Sequence, residues 1–262
     1  MLLTLDTSTA VASLALLRGA TVVVDETWDV GRRQSQELIA HLDALMARAG
    51  AGVADLTAVA VALGPGSFNG VRVGVTTAKT LALALGVPLY GACTLDVIAA
   101  GVAPGDGAIC ALLEAGRGEV YRAFYRRHGA AAGQPVTGDL TRISEYGIVA
   151  LPALVDEIAG SAVGVVCAGE WQPATRAALE AALGPRARFA QPAASRGALL
   201  GGVAAERARR GERDEPATME PVYLRRPNIT QPAPRRAGGL GAVRSEPERS
   251  RDHEGDARAL RH

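Results

Sequence analysis

Asp6 ends an apolar run that starts at Leu2, and three small hydroxyl residues follow it, Thr7, Ser8 and Thr9. In nucleotide-binding folds of two lobes, an aspartate at this point faces a metal–phosphate group while the turn behind it offers N–H donors to oxygen. The same residues also make a good turn by themselves, the carboxylate bonding its own backbone two residues on. Both readings stand at this level. A second candidate is the loop Gly64-Pro65-Gly66-Ser67-Phe68-Asn69-Gly70, which leads from a β-rich run into a helix. Gly64 and Gly66 let the backbone approach a ligand, Ser67 adds a hydroxyl, and a helix start suits an anion. Asn69 is the expected N-cap. The spacing matches neither the dinucleotide fingerprint nor the Walker loop, and Lys79 lies two turns inside the helix. Glycines placed for a tight strand-to-helix turn explain the loop equally well.

Other chemistry is thinly represented. His41, His128, His253 and His262 are scattered singly, so no metal-ligand pair is spelled out and no metal site is expected. Ser67 sits in Gly-Pro-Gly-Ser-Phe, not in a nucleophile elbow. Glu114 and Glu119 flank a predicted hairpin turn, where they either face a cleft or stand in solvent. Cys167-Ala168-Gly169-Glu170 is a poor second phosphate loop. No catalytic residue is nominated.

The elements that must hold these residues follow a repeated order. Segments 2–6, 12–17 and 21–28 read as strands, Leu38, Leu42, Leu45 and Met46 recur at helical spacing, and Thr57 to Leu63 reads as a buried strand. A helix over 70–85 and a strand over 87–90 come next. The second half runs through strands 108–113 and 120–126, an ill-defined strand near 136–143, a helix 152–159, a strand 162–168 and a helix 173–183. A last helix, 195–210, crosses back to the first half. A doubled βββαβα unit of this kind predicts an α/β protein of two ribonuclease-H-like lobes, each a mixed sheet flanked by helices. The lobes are expected at 1–103 with about 195–231, and at 104–194. The helix 70–85 carries Val71, Val73, Val75, Leu81, Leu83 and Leu85 around it, with Gly74, Ala78 and Ala82 as a small-residue row. Such a helix is either buried on every side or meets another molecule.

Composition narrows the class. The 262 residues carry 28 basic and 27 acidic side chains for a formal charge of +1, so no global field draws in nucleic acid or an anionic membrane. The 48% hydrophobic content is that of an ordinary globular chain. The three cysteines, Cys93, Cys110 and Cys167, form no Cys-x-x-Cys pair and no disulfide framework. With no signal peptide or membrane span predicted, the expected location is the cytoplasm. From Pro232 to His262 seven arginines and five acids sit among Gly, Pro and Ala without an aromatic residue, which predicts a disordered tail.

Four segments together resemble one family. Leu5-Asp6-Thr7-Ser8-Thr9, the run Gly64-Pro65-Gly66-Ser67-Phe68-Asn69-Gly70-Val71-Arg72-Val73-Gly74, Gly118-Glu119-Val120-Tyr121 and Pro221-Val222-Tyr223-Leu224-Arg225 are similar to the TsaB (YeaZ) family of tRNA threonylcarbamoyladenosine biosynthesis. The resemblance covers about residues 1–226. It implies the actin/Hsp70-type (ASKHA) fold and a non-catalytic subunit that binds and activates a TsaD-like transferase. That enzyme places threonylcarbamoyl on N6 of an adenosine beside the anticodon of tRNAs reading ANN codons. A TsaE-like ATPase is the implied third partner, homodimerisation is possible when alone, and tRNA is reached only through the complex. The resemblance places docking on the first lobe's helices, at Leu38, Leu42, Leu45, Val71, Gly74, Ala78 and Leu81. It leaves Asp6, Thr7, Ser8, Gly64, Gly66 and Ser67 as a vestigial or shared nucleotide site. No cofactor of its own is implied; ATP and a metal ion belong to the partners. Two departures stand out: Asn69 replaces the family's threonine, and Gly116 with Arg117 replaces its Asp-Ala-Arg hairpin. The competing reading is a stand-alone ATP-dependent phosphotransferase of the same fold, and behind it a glycoprotease-like peptidase.

Overall fold

Three consecutive apolar segments zip into an antiparallel meander at the start of the chain: β1 (Leu2–Asp6), β2 (Val11–Arg18) and β3 (Thr21–Asp29). After α1 (Gln34–Arg48), β4 (Ala58–Ala62) pairs parallel to β1, and after α2 (Phe68–Leu85), β5 (Leu89–Ala92) pairs parallel to β4. The order is therefore β3-β2-β1-β4-β5. A short helix, α3 (Thr94–Ala100), leads to a second sheet that repeats the scheme. There β6 (Ala108–Gly116), β7 (Glu119–Arg127) and β8 (Leu140–Arg142) are antiparallel neighbours, and β9 (Gly147–Ala150) also pairs with β7. Following α4 (Leu151–Ala159), β10 (Val165–Glu170) joins β6 in parallel. After α5 (Pro173–Leu183), β11 (Ala187–Phe189) joins β10, giving β11-β10-β6-β7-β8. Three antiparallel strands followed by two parallel ones, twice over, is the ribonuclease-H-like pair of lobes expected from the element order. The last helix, α6 (Arg196–Arg209), returns to pack on β1 and β2. The computed structural model describes residues 1–30, 34–103, 107–128, 140–191 and 195–225, and residues 1–226 form one compact unit. The segment 232–262 lies outside the described residues.

Apolar burial explains why each strand is where it is. β1, β2 and β4 are covered on both faces, so their inner residues read as continuous apolar runs and not as alternation. On one face Leu3, Leu5, Leu14 and Leu16 meet Leu38, Leu42 and Leu45 of α1 and Val71, Val75 and Ala78 of α2. On the other, Ala60, Tyr90 and Ala92 meet Leu200 and Ala204 of α6. His41 of α1 stacks on Trp28 of β3 with ring centroids 4.0 Å apart, and its Nδ1 lies 2.5 Å from Glu26 Oε1, tying the helix to the sheet edge.

The packing corrects the docking residues. Leu38, Leu42, Leu45, Val71, Gly74 and Ala78 are buried in the core of their own lobe, and Leu81 is half-buried against it. In the single chain these side chains are what the helices use to adhere to the sheet, so they do not form an open apolar face. Nor is α2 apolar all round: Asn69, Arg72, Thr76, Thr80, Leu83 and Ala84 form an exposed stripe, in which Leu83 is 63% exposed. The N-cap is also corrected. Ser67 caps α2, its hydroxyl accepting from the Gly70 N–H at 3.3 Å, and Asn69 lies within the first turn. The sequence reading lacked α3, β9 and β11; of its third strand in the second sheet, near 136–143, β8 (Leu140–Arg142) is seen, and 136–139 lie outside the described residues.

α3 brings one polar cluster between the lobes. Asp96 accepts hydrogen bonds from Tyr125 (2.7 Å) and Tyr146 (2.8 Å), and Arg142 lies 4.1 Å from the centre of the Tyr146 ring. Desolvation outweighs these bonds and raises the Asp96 carboxyl from its ordinary 3.8. Burial likewise pushes both tyrosine hydroxyls up, with Asp96 adding to it.

Two outcomes follow from this packing. Ala78→Asp places an unpaired charge in the core, so the isolated chain should lose several kcal/mol of stability, on the order of 3–5, read as a large drop in urea midpoint. A wild-type midpoint would mean that this face of α2 is not packed. A carboxyl whose folded value is raised adds stability below 3.8, and that contribution is lost as pH rises through the folded value. Relative to Asp96→Asn, the wild type should therefore lose ground in melting temperature as pH climbs from 3.8, whereas a pH-independent difference would contradict the shift.

Candidate functional site

A cleft of about 1000 Å³ lies between the two sheets, walled on one side by Ser8, Thr9, Ala10, Val11 and Ser67 and on the other by Leu113, Glu114, Tyr121, Glu170 and Trp171. That volume is ample for a small molecule. The turn after β1 and the loop before α2 meet at its floor, as the sequence placed them. Their polar groups, however, face one another. Asp6 is fully buried, and its Oδ1 accepts from the Ser8 N–H (3.0 Å) and the Ser8 hydroxyl (2.6 Å). The Ser67 N–H donates to the Ser8 carbonyl at 2.6 Å, and the Thr7 hydroxyl donates to the Gly70 carbonyl at 2.7 Å. The Ser8 and Ser67 N–H groups are thus bound inside the chain, and the two loops are packed against each other.

The glycines are explained by contact. A Cβ on Gly66 would lie 2.0 Å from the Ser8 carbonyl oxygen, and one on Gly74 would lie 2.3 Å from Thr7 Oγ1. Gly64 has a φ of +90°, which a side chain would strain, and it accepts from the Thr94 N–H at 2.8 Å to anchor α3.

One residue of the site went unnoticed in the sequence. Arg196, the first residue of α6, reaches Asp6 Oδ2 with Nε at 2.8 Å and Thr9 Oγ1 with Nη2 at 2.9 Å. It also bonds the Val11 carbonyl and pairs with Glu170 of the other lobe. Its helix start is fixed on β2: the Gly197 N–H donates to Ser13 Oγ at 3.0 Å, Ser195 Oγ lies 3.0 Å from the same atom, and a Cβ on Gly197 would strike the Leu14 backbone at 2.9 Å. The available signal was the small-residue setting Ser195-Arg196-Gly197, a charged side chain with close backbone contacts on each side.

The two hairpin acids part company. Glu114 lines the cleft and accepts from the Gln172 N–H (3.1 Å) and the Thr175 hydroxyl (2.5 Å), holding the start of α5. Glu119 pairs with Arg225. Arg117, between Gly116 and Gly118 at the turn, is exposed with a φ of 59°. Burial pushes the Cys93 thiol up to about 12 and Cys110 well above its ordinary value, so neither thiol is poised as a nucleophile. Among the described residues no group of three His, Cys, Asp or Glu side chains could hold a metal ion, and no helix is long and apolar enough to cross a membrane.

Comparison with known proteins agrees with this architecture. The sequence model of the family described as TsaD, tRNA N6-adenosine threonylcarbamoyltransferase, matches residues 29–232. The tRNA threonylcarbamoyladenosine biosynthesis protein TsaB of Bacillus subtilis is 32% identical over 145 residues, which is 55% of this chain and 63% of that protein, a little under two thirds of it. An uncharacterised protein of Mycobacterium tuberculosis is 33% identical over 86% of this chain and 92% of its own length. Among solved structures, YeaZ from Pseudomonas aeruginosa superposes with a TM-score of 0.65 at 25% identity, over 85% of this chain and 99% of that one. With its doubled lobes, its self-bound loops and these relatives, the chain belongs to the TsaB (YeaZ) branch of the TsaD family of tRNA threonylcarbamoyladenosine biosynthesis proteins.

Proposed function

We propose that the chain is a non-catalytic subunit in tRNA threonylcarbamoyladenosine synthesis, binding and activating a TsaD-like transferase that modifies N6 of the adenosine beside the anticodon. The observation that carries this reading is the Asp6–Arg196 pair. In a phosphotransferase of this architecture that carboxylate would face a metal–phosphate group, and here an arginine of the same chain takes its charge at 2.8 Å. The Ser8 and Ser67 N–H groups also serve the fold, which supports a cleft that does not act on a polyphosphate by itself. ATP and a metal ion are then the business of the partners, the transferase and a TsaE-like ATPase, and the work is done in the cytoplasm, where tRNA is modified.

Docking uses the outer faces of the two helices whose inner faces are core. On α1 the exposed residues include Ile39, Ala40, Asp43, Ala44, Ala47 and Arg48; on α2 they include Arg72, Thr76, Thr80, Leu83 and Ala84. The alanines on α1 allow a second helix to approach closely, and Ile39 and Leu83 supply exposed apolar surface. The same face serves a second copy of the chain when the transferase is absent. Contact with tRNA is made through the complex.

Co-expression with a TsaD-like protein and gel filtration test the pairing. Ala44→Arg together with Leu83→Glu should abolish the heterodimer by at least tenfold in Kd, about 1.4 kcal/mol, while the isolated variant melts like the wild type. A normal heterodimer from the double variant would remove this interface. Calorimetry of the isolated chain with Mg–ATP should show no micromolar binding, and ATP turnover by the chain alone would favour the phosphotransferase instead.

A further inference from the structure

The ion pairs at the cleft do more than neutralise charge, because they connect the lobes at two heights. At the floor, Arg196 is held from the first lobe by Asp6, Thr9 and Val11, and its remaining arm pairs with Glu170 at the end of β10. Its side chain is 8% exposed and that of Asp6 is 0% exposed, whereas Glu170 is 33% exposed. Glu170 has little freedom to drift, since the preceding residue Gly169 lies so close to β6 that a Cβ there would sit 1.8 Å from the Leu112 carbonyl oxygen. At the rim, Arg225 pairs with Glu119 at the start of β7. Arg225 is tied to the first lobe through Val222, whose N–H donates to the Leu63 carbonyl at 2.7 Å, and Tyr223, which packs on Phe68 with ring centroids 5.3 Å apart, while Leu224 packs against the cluster of α3, β6 and β7. Both acids belong to the second lobe, and both arginines lie in the part of the chain that returns to the first.

Asp6 and Glu170 present two carboxylates to one point from opposite lobes. Like charges at this separation repel unless a cation lies between them. We propose that Arg196 is the cleft's resident cation and that, with Arg225, it forms a two-point electrostatic latch holding the lobes closed without any ligand. The inner arm has one shielded partner, Arg196, and is the less sensitive to salt, whereas both partners of the outer arm are a third or more exposed and it weakens further as salt is added. The closed cleft is thereby a property of the chain itself, whichever partner the chain serves, and this inference stands or falls separately from docking.

Inter-lobe distance measurement on the isolated full-length chain tests it. Cys93, Cys110 and Cys167 are all buried, so spin labels on Thr21→Cys and Ala178→Cys, exposed sites on the two lobes outside α1 and α2, report the intra-chain distance once the labelled chain is diluted into unlabelled chain. Glu170→Gln should broaden the distance distribution and shift its mean by more than about 2 Å. Glu119→Gln should shift it less, and only at low salt, and the double variant should shift it most. Glu180→Gln, which breaks the surface pair with Arg176 on α5, is the control and should change nothing. If Glu170→Gln unfolds the chain, Arg225→Gln probes the rim from the other side and should match Glu119→Gln. A wild-type distribution in the Glu170→Gln, Glu119→Gln double variant would overturn the latch, as would an equal shift in the Glu180→Gln control.

Discussion

A carboxylate with no solvent contact must have its charge answered within the protein, and at the centre of this molecule the answer to Asp6 is Arg196. Losing one partner of such a pair leaves an uncompensated buried ion, which costs on the order of 3–5 kcal/mol. Much of the chain's course serves this contact. α6 has to return from the second lobe to bring its first residue onto the end of β1. Small or hydroxyl residues make that approach possible: Gly197 lets the helix backbone lie on β2, Ser13 bonds the Gly197 N–H, and the Thr4 hydroxyl donates to the Gly197 carbonyl at 2.8 Å. A side chain at position 197 would push the helix outward and leave the aspartate unanswered.

The same economy governs the two loops that looked like ligand sites. A phosphate cradle requires N–H groups that converge on empty space. Here the Ser67 N–H finds the Ser8 carbonyl and the Thr7 hydroxyl finds the Gly70 carbonyl, and the glycines at 66 and 74 let those loops come into contact. The loop therefore acts as a structural clasp between β1 and α2. Glycine spacing alone could not separate these roles, because close approach to a ligand and close approach to another loop make the same demand on the backbone.

The architecture was legible because burial on both sheet faces writes long apolar runs, and because Gly50 and Gly86 mark helix ends. The helix over 173–183 was legible to the residue, introduced by Pro173 and closed by Gly184. What escaped was short or tertiary in origin. α3 spans 7 residues, too few to show a period, and nearly all of it is buried between the lobes. β9 and β11 are 4 and 3 residues long and exist only because a neighbouring strand offers hydrogen bonds. Asp6 was visible as a candidate, yet its partner lies 190 residues away, and no local pattern carries that distance.

The docking residues show the same limit in another form. Leucines at helical spacing identify an apolar face, but the spacing does not say what covers it. In α1 and α2 that face belongs to the sheet, since Leu38, Leu45 and Ala78 are sealed in the first lobe's core. A helix that must also meet a partner has to do so with its other side, where full hydrophobicity would make the free chain aggregate. On the outer faces of α1 and α2, alanine and threonine stand beside the charged Asp43, Arg48 and Arg72 and the single exposed Ile39 and Leu83 side chains. Apolarity alone therefore identifies the side of each helix that the sheet covers, and the modest, mixed side is the one left to solvent.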